Sequence, residues 1–117
     1  MHELSVASAV VDTALRHAEG RRVLVVNLKI GQLRQVIPDS LAFYFEIVSR
    51  DTLVEGARLE QVGVPVRMRC EACAHEWEPE LMFRCPECSG VGEVLAGNEL
   101  EVDSIEVEED SECIASR

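Results

Sequence analysis

Two pairs of cysteines constrain this chain more than any other feature of it. Cys70-Glu-Ala-Cys73 is followed, after a gap of eleven residues, by Cys85-Pro-Glu-Cys88. Two thiolates separated by two residues in a tight turn can grip one tetrahedral ion, and two such turns complete a four-sulfur site. Four sulfurs leave no position open for water or substrate, so zinc held by Cys70, Cys73, Cys85 and Cys88 is expected to be structural. It would also stabilise a module too small to bury a core of its own. The gap is short for this type of spacing, and a compact β-hairpin is expected to bridge it. Trp77, Leu81, Met82 and Phe83 are expected beside the metal, with His75 on the surface or as an outer hydrogen-bond donor to the site. Disulfides suit an intracellular chain poorly, and neither pair sits on a thioredoxin-like pattern. Iron in a rubredoxin-like site is the serious rival, because tetrahedral sulfur suits both metals. Cys113 stands without a partner and is assigned no role.

The rest of the composition narrows the function classes. A net charge of −11 repels phosphate backbones, so nucleic-acid binding is not expected. Such acidity fits basic protein partners or metal cations, or serves solubility alone. No stretch approaches the roughly 18 apolar residues that span a bilayer. Glu3, Ser5, Ser8 and Asp12 interrupt the first dozen positions, unlike a signal peptide. The expected location is cytoplasmic, away from membranes. Lys29 is the only lysine among the basic residues.

Periodicity then places the elements. Leu4, Ala7, Val11, Ala14, Leu15 and Ala18, widened by Val10, predict an amphipathic helix over 4–18 that stops at Gly20. Val23 to Ile30 reads as a strand, with Leu24, Val26, Leu28 and Ile30 on one face and Asn27 and Lys29 on the other. Pro38 suits the first turn of a second helix that ends near Arg50. Leu41, Tyr44, Phe45 and Val48 form its buried stripe, while Phe43 and Ile47 face a second surface. Ala57 to Val66 is a weaker strand whose alternation slips near Gln61, as a bulge would make it. Leu100 and Val102, then Ile105 and Val107 in the other phase, predict a strand with a bulge at Asp103-Ser104. Strand-helix-strand order implies a parallel crossover, and the strands flanking the cysteine module are expected to pair side by side. The fold class is α+β: two helices on a three-stranded mixed sheet with an inserted zinc-ribbon module. The expected division is 1–66 plus 97–109 as one domain, 67–96 as the zinc domain and 110–117 as a flexible acidic tail.

The start of the chain is a second candidate site. Met1-His2-Glu3 sets an α-amine, an imidazole, a backbone amide and a carboxylate within three residues. Histidine at position 2 should leave Met1 in place. An amine and an imidazole close enough to chelate suit nickel or copper. Glu3 has a plainer role as well, as an acid in the first turn of a helix.

Taken together, Met1-His2-Glu3-Leu4-Ser5, the two cysteine pairs and the closing Gly97-Asn98-Glu99-Leu100 through Ile105-Glu106-Val107 resemble the HypA/HybF hydrogenase-maturation nickel chaperones, from residue 1 to about 109. The resemblance implies nickel at Met1, His2 and Glu3 and zinc at the four cysteines. It implies delivery of Ni(II) to the precursor of the [NiFe]-hydrogenase large subunit, with a maturation GTPase as partner; some relatives serve urease. Asp39 falls near an aspartate linked to nickel in some of them. Ala74, and Ser89-Gly90 in place of Gly-Ser, depart from the family's pattern at the knuckle turns. The chain has no G-x-x-x-x-G-K-[ST] loop, so energy coupling must come from a partner. No nucleophile–base pair points to an enzyme. Assembly as a homodimer is left open. The contrasting function is a zinc-ribbon adaptor that makes protein contacts without nickel delivery.

Overall fold

The computed structural model describes residues 3–79 and 83–109. Met1, His2, Leu81, Met82, Cys113 and the expected tail lie outside the described residues. Helix α1 (Glu3–Ala18) leads into strand β1 (Val23–Gly31), a 3-10 turn (Gln32–Arg34) and helix α2 (Pro38–Ser49). Strands β2 (Arg58–Val64), β3 (Arg67–Cys70), β4 (Glu76–Trp77), β5 (Gly92–Ala96) and β6 (Leu100–Val107) follow. They form two three-stranded sheets, ordered β2-β1-β6 and β4-β3-β5.

The first sheet is mixed: β1 pairs parallel with β2 and antiparallel with β6. Both helices contribute to the core that the sheet also lines, where Val10, Ala14, Val26, Leu28, Leu41 and Phe45 meet. The parallel crossover through α2 is as expected, but the strands flanking the cysteine module do not pair with each other. β1 lies between them. Its adjacent residues Val25 and Val26 are both buried, so both of its faces need cover and it takes the centre. β6 alternates apolar and acidic residues and suits an edge.

Three side chains depart from the periodic reading. The buried stripe of α1 is centred nearer Val10 and Ala14 and includes Val6, which leaves Leu4 on the rim, 48% exposed. Leu24 is also exposed, because the register of β1 against β6 shifts between Val23 and Val25 and returns Val23 to the core. The second bulge is where the apolar phase predicts it: Asn27 faces Ser104 and Leu28 faces Val102, with Asp103 as the extra residue. By contrast, β2 runs against β1 without a break through Gln61. The amide there leaves the apolar pattern to donate from Nε2 to the Pro38 carbonyl at 3.0 Å. On α2, Leu41 and Phe45 are buried while Phe43 and Ile47 lie on the exposed side.

The chain leaves the first sheet after β2 and returns to it at Gly97. A Cβ on Gly31 would strike the Gly97 carbonyl, and one on Gly97, whose φ is +105°, would come within 2.6 Å of Val66 Cα. Glycine is therefore needed at both positions for the two passes to cross. The 3-10 turn fastens the crossing: Leu33 N–H donates to the Gly97 carbonyl (2.8 Å), Arg34 Nε to the Asn98 carbonyl (3.0 Å), and Gln32 Oε1 accepts from Val66 N–H (3.1 Å).

Candidate metal centre

The second sheet presents the four cysteines. β3 ends at Cys70, and the turn from Cys70 to Cys73 leads into β4, which pairs back onto β3. Cys85 to Cys88 form a like turn between Arg84 and Val91, which face each other in an antiparallel bridge. Hairpins thus carry the two knuckles; the described part of the eleven-residue gap contributes β4 to the first of them.

The four Sγ atoms all lie within 4.8 Å of one another. Cys70 to Cys88 measures 3.4 Å, and Cys73 to Cys85 and to Cys88 3.6 Å each. A tetrahedral ion with metal–sulfur bonds of about 2.3 Å sets sulfurs about 3.8 Å apart, so the donors and their spacing fit a zinc-sized ion. Backbone N–H groups of Ala72 and Cys73 point at Cys70 Sγ (3.3 and 3.4 Å), and that of Glu87 at Cys85 Sγ (3.4 Å). Such donors favour the thiolate.

The thiols feel this arrangement unequally. Donation from the Cys73 N–H, and then from that of Ala72, outweighs desolvation and brings Cys70 down to about 7. At Cys88 the Gly90 N–H pulls down, but the crowding sulfurs of Cys70 and Cys73 and desolvation together push the thiol up to about 12. Cys73 is also raised: the His75 N–H and Cys88 lower it, against desolvation and the sulfurs of Cys85 and Cys70. Four sulfurs this close cannot all ionise without a cation among them.

The departures at the turns now have a geometry. Ala74 and Ser89 hold φ of 64° and 62°, the left-handed region that glycine enters without cost. Each closes its knuckle, with Ala74 N–H donating to the Cys70 carbonyl (3.0 Å) and Ser89 N–H to that of Cys85 (2.9 Å). Gly90 serves space instead: a Cβ there would lie 2.9 Å from Cys70 Sγ and 3.2 Å from Cys88 Sγ. Sequence spacing marked the cysteines but not this contact. Its one signal was the glycine two places after Cys88. His75 stacks on Trp77 with ring centroids 6.1 Å apart, and its carbonyl accepts from Cys70 N–H (2.8 Å). Phe83, expected beside the metal, is 55% exposed.

Of the N-terminal set, Glu3 opens α1, and its Oε2 accepts a hydrogen bond from the Ile37 N–H at 3.1 Å. Ile37 caps α2, and Asp39 lies in that helix's first turn. Met1 and His2 lie outside the described residues. No described helix is long and apolar enough to cross a membrane.

Comparison with known proteins bears on the whole chain. The family model described as hydrogenase/urease nickel incorporation, metallochaperone, HypA matches residues 1–107. The hydrogenase maturation factor HypA of Geobacter metallireducens is 46% identical over 110 residues, covering 92% of this chain and all of the relative. That of Streptomyces avermitilis is 42% identical, covering 93% and 88%. The solution structure of the Ni metallochaperone HypA from Helicobacter pylori superposes with a TM-score of 0.69 at 26% identity, over 92% of this chain and 97% of that one. A match that spans both sheets, both helices and the sulfur cluster leaves one assignment: this chain belongs to the HypA family.

Proposed function

We propose that the chain is a nickel carrier. It binds Ni(II) at Met1, His2 and Glu3 and hands it to the [NiFe]-hydrogenase large subunit precursor in the cytoplasm, with a maturation GTPase supplying energy. Zinc at Cys70, Cys73, Cys85 and Cys88 gives the 67–96 domain its shape, and 1–66 with 97–109 forms the nickel domain. The reading is carried by one joint observation: the family match runs from residue 1 to residue 107, over a chain whose four sulfurs already stand at metal-binding separations.

The chemistry divides the labour. Cys70, Cys73, Cys85 and Cys88 would hold zinc with all four of their sulfurs, and the ion would cross-link the two knuckles without a position left for substrate. The Met1 amine and the His2 imidazole suit nickel. The Glu3 carboxylate next to them accepts from the Ile37 N–H at the start of α2. A site of few ligands at a chain end can be emptied one bond at a time by a better-furnished acceptor.

Nickel titration of the zinc-loaded protein tests this. His2→Ala, and separately one extra residue ahead of Met1, should each weaken binding by at least about tenfold, since each removes a ligand or the free amine. Wild-type affinity should fall as pH drops toward about 6, where imidazole takes up its proton. Unchanged titrations would leave the adaptor function standing in its place.

A further inference from the structure

The four sulfurs that gather for a metal are not equally reachable. Cys70 and Cys85, the first of each pair, are buried, at 2% and 1% exposure. Cys73 and Cys88, the second of each pair, are exposed. Each knuckle therefore turns one cysteine inward and one outward. The residues that follow the outward cysteines, Ala74 and Ser89, are small and exposed themselves.

Distance and access together pick out one pair. Across the two knuckles, Cys70 and Cys88 stand 3.4 Å apart, and Cys73 stands 3.6 Å from both Cys85 and Cys88. Of these three contacts, Cys73–Cys88 is the one that joins two exposed residues. They are 15 positions apart and belong to different turns. A bond between them would tie one knuckle to the other, and it would take both outward ligands from the metal site. The module has little else to hold it: besides Cys70 and Cys85, the buried apolar residues around its sheet, among the described ones, are Val66 and Met68. The first sheet has its own core.

We propose that Cys73 and Cys88 form a peroxide-sensitive switch: a hydroperoxide oxidises the pair to a disulfide, zinc is released, and the 67–96 module loosens while the first sheet stays folded. One of the two exposed thiolates attacks a peroxide oxygen. The S–O bond forms, the O–O bond breaks, and hydroxide leaves. The other thiolate then attacks that sulfur. The S–S bond forms, the S–O bond breaks, and a second hydroxide leaves. The two thiolates have given up two electrons, and the peroxide has taken both. Burial keeps Cys70 and Cys85 from the first attack, since oxidation follows exposure. They remain as thiolates, and two sulfurs in place of four hold zinc too weakly against a competing chelator. Exchange with a thiol reductant reverses the bond, which suits the transient disulfides of reducing compartments. The inference rests on zinc being held by the four cysteines.

The test uses the full zinc-loaded chain, with the Cys113→Ser variant in parallel to keep the fifth thiol out of the reaction. Zinc content is measured first. Hydrogen peroxide, one equivalent per chain, is then added in the presence of a chromogenic zinc chelator, and the product is alkylated and digested with trypsin. Cleavage after Arg84 falls between the knuckles, so a bridge across them joins two peptides and a bridge within one does not. Both proteins should release their zinc, and fragmentation should place the bridge at Cys73 and Cys88. Zinc added back should fail to restore hydrogen-exchange protection across 67–96 until a thiol reductant is supplied, whereas protection of 23–31 should not change at any stage. Retention of zinc under peroxide, a bridge confined to one knuckle or made to Cys70, Cys85 or Cys113, or recovery on adding zinc alone overturns the switch and leaves structural zinc standing. A chain that holds no zinc at the outset overturns both.

Discussion

At the scale of single residues, the metal module is governed by two neighbours in opposite ways. Ser89 occupies a left-handed backbone conformation that its Cβ resists, whereas Gly90 has no room for a Cβ beside two sulfurs. Ser89→Gly should therefore stabilise the zinc-loaded protein by about 1 kcal/mol. Gly90→Ala should push Cys70 and Cys88 apart and speed zinc loss to a chelator. Thermal melts and chelator competition on the two variants measure these effects. A glycine in this stretch was visible in the sequence, but its reason was not. The family pattern suggested backbone freedom at the turn, and only the Sγ positions show that the demand at Gly90 is for volume.

At the scale of elements, the apolar periods located both helices, the long strands and the bulge at Asp103, because each leaves a phase mark in the side-chain pattern. What they did not show was which strand lies in the middle. That depends on burial of both faces of β1, and it is legible only in the density of Val23 to Val26. The bulge at Leu24 leaves no such mark, because an apolar residue there fits either phase. Val26→Ala should cost about 2–3 kcal/mol of stability by leaving a void at the centre of the core. Leu24→Ala, at an exposed position, should cost no more than about 0.5 kcal/mol. Equal losses in denaturant melts would contradict the assigned register.

For the whole molecule, the two sheets differ in what supports them. The β2-β1-β6 sheet carries the helices and the apolar core, whereas around the other sheet the buried apolar residues, among the described ones, are Val66, Met68, Cys70 and Cys85. Zinc removal should therefore abolish hydrogen-exchange protection across 67–96 and leave 23–31 protected. Acid works in the same direction. Below about pH 7 zinc must displace protons from Cys70, Cys73 and Cys88, whereas between 7 and 9 Cys70 has already given up its own. Uptake should thus weaken as pH falls, and more steeply below about 7 than above it. Zinc titrations from pH 6 to 8.5 would show the change of slope.

The placing of β6 against β1 also has a consequence for timing. Asn27 and Ser104, which bond across that pair at 3.1 Å, are 77 positions apart in the chain. During synthesis, which proceeds from the N-terminus, the middle strand must wait with one flank bare until everything between has emerged, the cysteine turns included. The sulfur module is thus made, and free to take up its ion, before the helical half acquires its last strand. Strand order along the chain thus lets the four sulfurs gather while the helical half is still unfinished.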